Sequence, residues 1–388
     1  MRVAAYHPWI YLRSGVERML VELVTRSRHE WVLFTHHLDP AATYPEIGGI
    51  DVRRLEPEVA VRRSAGPLSR AAWTIATTRL PDVGADALLV SSEGLGDLVL
   101  ARTRLPAVAY CHTPLKILHD PATRRRLAEV DRRKHLVSGA LGPGFTAVDR
   151  LLWRRYTHAF ANSAEVARRL QRARLRPHGA VEVLHPGVDT ARFRPPGADA
   201  TRRGLLVAGR IMWQKQIELA IDAYRIVVDR PRPDGALHEE LTIAGAVDAK
   251  SAPYLAELRA RAAGLPVRFV VDPADDELVT LMRSARALVF TAPNEDFGMV
   301  VLEALACGTP VLAGASGGPA EILDPTTGWL VAHDVAAFAT RIAALLDDDV
   351  PTAMRAAAAA RARDFGWDAF TRRVDDVMEQ AGTRTTSR

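Results

Sequence analysis

Short apolar runs alternate with helix-period segments along almost the whole chain, and that alternation constrains the fold more than any other feature of the sequence. Residues 3–6, 31–35, 87–90, 107–110, 158–161 and 181–184 read as strands. Behind Gly15 the period changes: Val16, Met19, Leu20, Leu23 and Val24 fall on one helical face. Periodicity fails between residues 186 and 204, where Pro186, Gly187, Pro195, Pro196 and Gly197 mark a linker. Beyond it the alternation restarts, with strands at 205–208, 241–244, 267–271, 287–290, 311–313 and 329–331 and helices at 217–228, 254–263 and 275–283. Such alternation predicts α/β architecture with parallel sheets. The interruption predicts two α/β lobes, 1–190 and 191–365, facing across a cleft. The Ala-rich segment 353–362 is helical by propensity.

A chain of 388 residues is long enough for two such domains. Its 48% hydrophobic and 25% charged residues place it among folded soluble proteins. No segment reaches the ~20 apolar residues of a membrane span. Residues 1–7 enter a strand directly, without the apolar core of a signal peptide, so the expected location is the cytoplasm. Cys111 and Cys307 lie in apolar contexts and are expected to be reduced core thiols. No cysteine or histidine cluster has zinc spacing, and the adjacent His36 and His37 are poor geometry for a helical metal pair. The net charge of +5, spread over this length, permits anionic partners. Basic residues do not interleave with aromatic ones, which argues against nucleic acid.

The chemistry concentrates in residues 294–310. Between Phe297 and Gly308, Glu303 is the only charged side chain, so its helix is expected to be buried nearly all round. A carboxylate in such a helix is costly unless something partners it. Glu295 precedes it in the loop after the strand 287–290. Strand, acidic loop and helix occur in that order, and open α/β sheets bind ligands outside the carboxyl ends of their strands.

A second cluster suits an anion. The strand 205–208 ends in Gly209 and Arg210, and Lys215 follows just before a helix. Two cations near helix amides make a fitting diphosphate site, although no Walker A loop occurs. In the first half, Gly15 opens a helix soon after the first strand, and His112 follows the strand 107–110. Both stand where a ligand would be expected.

With these residues in hand, the chain resembles the retaining family-four glycosyltransferases, which have the two-Rossmann GT-B fold. The resemblance covers nearly the whole chain. Its strongest part is the Glu295…Glu303 run that continues through Ala304, Ala306, Gly308, Pro310 and Val311. Arg210 with Lys215, Asn162-Ser163, Pro186-Gly187-Val188-Asp189 and Gly317-Gly318 with Glu321 fall in the family's order. The resemblance implies that Glu303 holds the ribose hydroxyls and that Glu295 lies near the donor sugar. It gives the backbone around Phe297, Gly298, Met299 and Val300 to sugar binding. Arg210 and Lys215 would neutralise the leaving diphosphate, with Gly15 assisting, and His112 would contact the sugar near the reacting carbon. No metal is implied, since the two cations and helix amides replace it, and no cofactor, since the nucleotide-sugar donor is a substrate. The first domain would bind the acceptor and the second the nucleotide-sugar, with the final helix, 366–388, crossing back onto the first. Two departures stand out: Ser14-Gly15 where the family often has Gly-Gly, and Lys215-Gln216 where it often has Lys-Gly.

Residues 110–120 look like those of bacterial mannosyltransferases that build surface polysaccharides on lipid carriers. This points to GDP-mannose as donor and to a glycan or lipid-linked acceptor, with UDP-sugars and small-molecule acceptors open. Arg124, Arg125, Arg126, Arg132, Arg133 and Lys134 form a basic run that reads either as a solvated helix face or as a peripheral contact with an anionic membrane surface. A nucleotide-sugar epimerase on the same fold is the alternative reaction, but no linked acid/base pair proposes one.

Overall fold

The computed structural model describes residues 1–59, 65–197, 200–230 and 239–383. The chain forms two compact units: Met1–Pro186 together with the segment from Trp367 onward, and Gly187–Gly366.

Unit 1 is built on seven parallel strands: β1 (Arg2–Tyr6), β2 (Glu30–Thr35), β3 (Val52–Arg54), β4 (Ala87–Ser92), β5 (Ala107–Cys111), β6 (Tyr156–Ala161) and β7 (Val181–Val183). They lie in the order β3-β2-β1-β4-β5-β6-β7. The central strands are apolar on both faces because helices cover both, as a parallel sheet requires. The order turns back at β1 and β4, where Val3 pairs with Ala87 and Tyr6 with Val90. Connections leave those two strands in opposite directions, opening a crevice at their carboxyl ends.

Unit 2 repeats the plan with six parallel strands: β8 (Leu205–Ala208), β9 (Leu241–Gly245), β10 (Val267–Val271), β11 (Ala287–Phe290), β12 (Val311–Gly314) and β13 (Gly328–Val331). Their order is β10-β9-β8-β11-β12-β13, so β8 and β11 flank the switch point. Both units are thus parallel α/β, as the alternation predicted, and Rossmann-like, as the resemblance implied.

Five helices matter below: α1 (Gly15–Arg26), α2 (Arg132–Trp153), α3 (Ile217–Val228), α4 (Met299–Ala306) and α5 (Trp367–Thr383). Helix α5 belongs to unit 1. It buries Trp367, Phe370, Val374, Val377 and Met378, and the Phe370 ring meets Tyr110 edge-on with centroids 5.3 Å apart. Asp375 accepts from the Ser27 hydroxyl at 2.6 Å and from the Arg28 amide at 3.1 Å, closing the end of α1. Arg373 grips Glu182 with two bonds of 2.8 and 2.7 Å.

One expectation needs correction. The aperiodic stretch after Pro186 is packed on unit 2 rather than free. The Val188 amide donates to the Phe365 carbonyl at 3.0 Å, and the Arg283 guanidinium holds the carbonyls of Arg192 and Arg194 at 3.1 and 2.8 Å. Proline denies it ladder bonds, but side-chain donors satisfy its carbonyls instead. Arg169 is buried and donates to Glu165 at 3.0 Å.

Candidate functional site

In unit 2 the predicted residues gather at the switch point. Arg210 lies just beyond β8, after Gly209, and is exposed, with no hydrogen bond or ion pair among the described residues. Lys215 closes the short turn Trp213–Lys215. Its ammonium donates to the Glu295 carboxylate at 2.7 Å, both side chains being 22% exposed. It also stands 5.5 Å from the Phe290 ring centroid. The Lys215 carbonyl accepts from the Thr291 hydroxyl at 2.8 Å, and the Thr291 carbonyl accepts from His333 Nε2 at 2.8 Å. The loop after β8 is therefore bolted to the loop after β11. Eighty residues separate Lys215 from Glu295, and the topology alone makes them neighbours.

The Glu295 loop is shaped by glycines. A side chain at Gly318 would put its Cβ 2.2 Å from the Phe297 carbonyl oxygen, and one at Gly317 would come 2.6 Å from that of Glu295. Only bare backbone fits there, and the Gly318 amide then donates to the Glu295 carbonyl at 2.9 Å. Gly298, at φ +101°, turns the chain into α4 without a side-chain cap. The Val301 amide bonds back to the Gly298 carbonyl at 2.9 Å. The amides of Met299 and Val300 begin the helix and so have no acceptor within it. They sit at its positive end, where anions and sugar oxygens are favoured.

Helix α4 corrects the expectation of burial all round. Val301, Leu302, Ala304, Leu305 and Ala306 are buried, whereas Met299, Val300 and Glu303 are only half-buried. Those three share one face, since residues three and four apart are helical neighbours. Apolar composition could not separate the packed face from an open one, because Met299 and Val300 are as apolar as the core. Glu303 therefore faces partial solvent on a strip that leads back to the helix start. Cys307, at the end of α4, is buried and in no disulfide, as is Cys111 at the end of β5. Burial pushes the Cys307 thiol up to about 12.

The two departures from the family pattern have local explanations. Gln216 starts α3 in the left-handed region at φ 46°, the conformation glycine adopts without penalty. Its follower, the Ile217 amide, is taken by the Tyr254 hydroxyl at 2.9 Å, so this helix end offers one amide fewer than expected. In unit 1, Ser14 caps α1 by accepting from the Val16 amide at 3.2 Å and donating to Glu17. Gly15 is the first helical residue and is exposed.

His112 lies at the carboxyl end of β5 and is buried. Its Nε2 is 3.0 Å from the Ser91 hydroxyl, and its amide donates to the Ser92 carbonyl at 2.9 Å. Burial, reinforced by the charge of His7, pushes its pKa down to about 3, so the ring is neutral at physiological pH. His7, which the sequence reading did not select, follows β1 and donates from Nδ1 to the Ser91 carbonyl at 3.1 Å. Beside it the Glu17 carboxyl is raised by burial and lowered in turn by His7. These groups occupy the switch point of unit 1, and a search for polar residues just past strand ends would have found His7.

Of the basic run, Arg124, Arg125, Arg126 and Arg132 are exposed, while the side chains of Arg133 and Lys134 lie outside the described residues. On α2, the exposed Leu136, Leu141, Val148 and Leu151 follow them. No described helix is long and apolar enough to cross a membrane.

Known proteins share this organisation. Residues 13–192 match the model of Glycosyltransferase Family 4, and residues 189–364 match that of Glycosyl transferases group 1. The chain is 34% identical over 311 residues to the D-inositol 3-phosphate glycosyltransferase of Streptomyces scabiei, covering 75% of this chain and 66% of that protein. It is 33% identical over 323 residues to the protein of the same name from Streptomyces coelicolor, covering 75% and 67%. The chain thus spans about two thirds of the length of these relatives. The structure of HepE from Anabaena in complex with UDP superposes with a TM-score of 0.71 at 18% identity, over 98% of this chain and all of that one. With both units matched in their chain order, this chain belongs to the family-four, group 1 glycosyltransferases.

Proposed function

We propose that the protein is a retaining, metal-independent glycosyltransferase that moves a hexosyl group from a nucleotide-sugar to a hydroxyl acceptor. The observation that carries this reading is the Lys215–Glu295 contact at the switch point of unit 2, with Arg210 exposed on the same loop. Glu303 takes the ribose hydroxyls, and the amides at the start of α4 take sugar oxygens. Arg210 and Lys215 bind the diphosphate and stabilise the charge that grows on it as the glycosidic bond breaks. Two cations supply what a metal would otherwise provide. Glu295 acts as a positioning group: its carboxylate aims the Lys215 ammonium and is engaged in doing so. The acceptor oxygen bonds to the anomeric carbon on the face that the diphosphate leaves, and its proton passes to a departing phosphate oxygen. His112, held neutral, contacts the sugar as a polar group without added charge.

The relatives' names support a phosphorylated polyol as acceptor, and the UDP-bound HepE structure supports a uridine donor. GDP-mannose with a lipid-linked glycan is the second reading, favoured by residues 110–120 and by the exposed arginines beside the apolar face of α2. Sedimentation with phosphatidylglycerol vesicles tests that membrane contact.

Thermal unfolding with UDP, GDP, UDP-glucose and GDP-mannose in EDTA is the first test. A ligand at 100 times its dissociation constant adds about 2.7 kcal/mol. A shift with the uridine pair alone selects the first reading, one with the guanosine pair the second. No shift with any of the four overturns the nucleotide site. Arg210→Ala is then expected to lower kcat roughly 100-fold with little change in donor KM, since its charge acts mainly on the leaving group.

A further inference from the structure

We propose that Ser91 is a positioning residue that locks His112 in the tautomer with its proton on Nδ1, so that His112 offers its ligand a fixed N–H donor. The consequence for transfer rests on the glycosyltransferase reading above, whereas the tautomer itself does not.

Ser91 is the penultimate residue of β4 and fully buried, and its hydroxyl lies 3.0 Å from His112 Nε2. Two arrangements fit that distance. Either the hydroxyl donates to a bare Nε2, or a protonated Nε2 donates to the hydroxyl oxygen. The second leaves the serine proton in need of another acceptor. Among the described residues the Ser91 hydroxyl has no other partner, and water does not reach it. A buried donor without an acceptor costs its full desolvation, so the first arrangement wins. Nε2 then accepts, and in a neutral ring the proton must be on Nδ1.

The other side of Ser91 removes the remaining freedom. Its carbonyl can only accept, and it takes the Nδ1–H of His7 at 3.1 Å. One residue in the middle of the switch point therefore fixes both imidazoles, one through its main chain and one through its side chain. The ring of His112 is further held by the edge of Tyr110, with centroids 5.1 Å apart at 64°. Its Nδ1 makes no hydrogen bond to any described residue, so the donor is left for a ligand hydroxyl or ether oxygen. Without the lock, neutral His112 would exchange tautomers and present a lone pair part of the time, repelling the same oxygen.

Nitrogen-15 histidine NMR of the intact protein at pH 7 tests this directly, with the His112 signals assigned by their loss in His112→Gln. The expected result is a neutral ring protonated on Nδ1, which moves toward the Nε2-protonated form in Ser91→Ala and returns in Ser91→Thr. With the donor found above, Ser91→Ala is expected to lower kcat about tenfold, the worth of one hydrogen bond, with donor KM within twofold and recovery in Ser91→Thr. A wild-type ring protonated on Nε2, a doubly protonated ring, or a Ser91→Ala spectrum unchanged from wild type would overturn the proposal. Should Ser91→Ala fail to fold, the wild-type spectrum alone decides. A protein that shows the Nδ1 tautomer but transfers no sugar would count against the proposed function and leave the lock standing.

Discussion

Two switch points on the same sheet plan carry opposite chemistry. In unit 1 the polar groups at the ends of β1, β4 and β5 and at the start of α1 are sealed: His7, Glu17, Ser91 and His112 are all buried, with both histidines bonded to Ser91 and Glu17 bonded to Ser14. In unit 2 the groups past β8 and β11 are half-open and charged, with Arg210 exposed and Lys215 and Glu295 each 22% exposed. Burial holds the His112 ring neutral and raises the Glu17 carboxyl. Partial exposure lets the second set keep full charge at tolerable desolvation cost. A sugar needs directional hydrogen bonds, and a diphosphate needs charge. The shared fold supplies the location, and depth of burial selects the chemistry.

The comparison breaks most visibly at Glu303. If the open face of α4 is the nucleotide face, Glu303→Ala should weaken donor binding about 100-fold in calorimetry, the worth of two charge-assisted hydrogen bonds, and nearly abolish transfer. Unchanged donor affinity would remove unit 2 from the binding model. A smaller effect probes the sealed character of unit 1. Asp149, on α2, is fully buried and neither of its oxygens has a hydrogen-bond partner among the described residues. Burial, with the nearby Asp97 charge, pushes its carboxyl up to about 8 from an ordinary 3.8. The folded state therefore holds a proton that the unfolded chain has released between about pH 4 and pH 8. The stabilisation is complete below that window and is lost as pH rises through it. Urea unfolding should show wild-type stability falling from pH 5 to pH 8.5, with a flatter dependence in Asp149→Asn. The smallest effect belongs to Gln216→Gly, which relieves a left-handed residue and should stabilise unit 2 by about 0.5–1 kcal/mol in the same assay. A loss of stability there would mean that the Gln216 side chain contributes more than its backbone costs.

Much of this was legible in the sequence because buried parallel strands are continuous apolar runs. Residues 205–208 and 287–290 were read with the bounds the structure gives. Strand β3 was missed because its three residues, Val52, Arg53 and Arg54, lie at a sheet edge and look like solvated chain. Helix α2 was missed because Gly139, Gly142, Pro143 and Gly144 interrupt its pattern. At the site, residue types were visible but pairings were not. Nothing local to Lys215 announces Glu295, and nothing local to His112 announces Ser91. Hydrophobicity also misled where an open helix face is itself apolar, as at Met299 and Val300.

Helix α5 ties the order of synthesis to the order of assembly. Unit 2 is one uninterrupted stretch, and every residue it needs has left the ribosome before Trp367 appears. Unit 1 begins at Met1, yet Tyr110, Ser27 and Glu182 obtain their α5 partners only after all of unit 2 has been made. The half translated first is thus the half completed last. During translation its sheet keeps an uncovered apolar flank until α5 arrives, whereas unit 2 can close as it emerges.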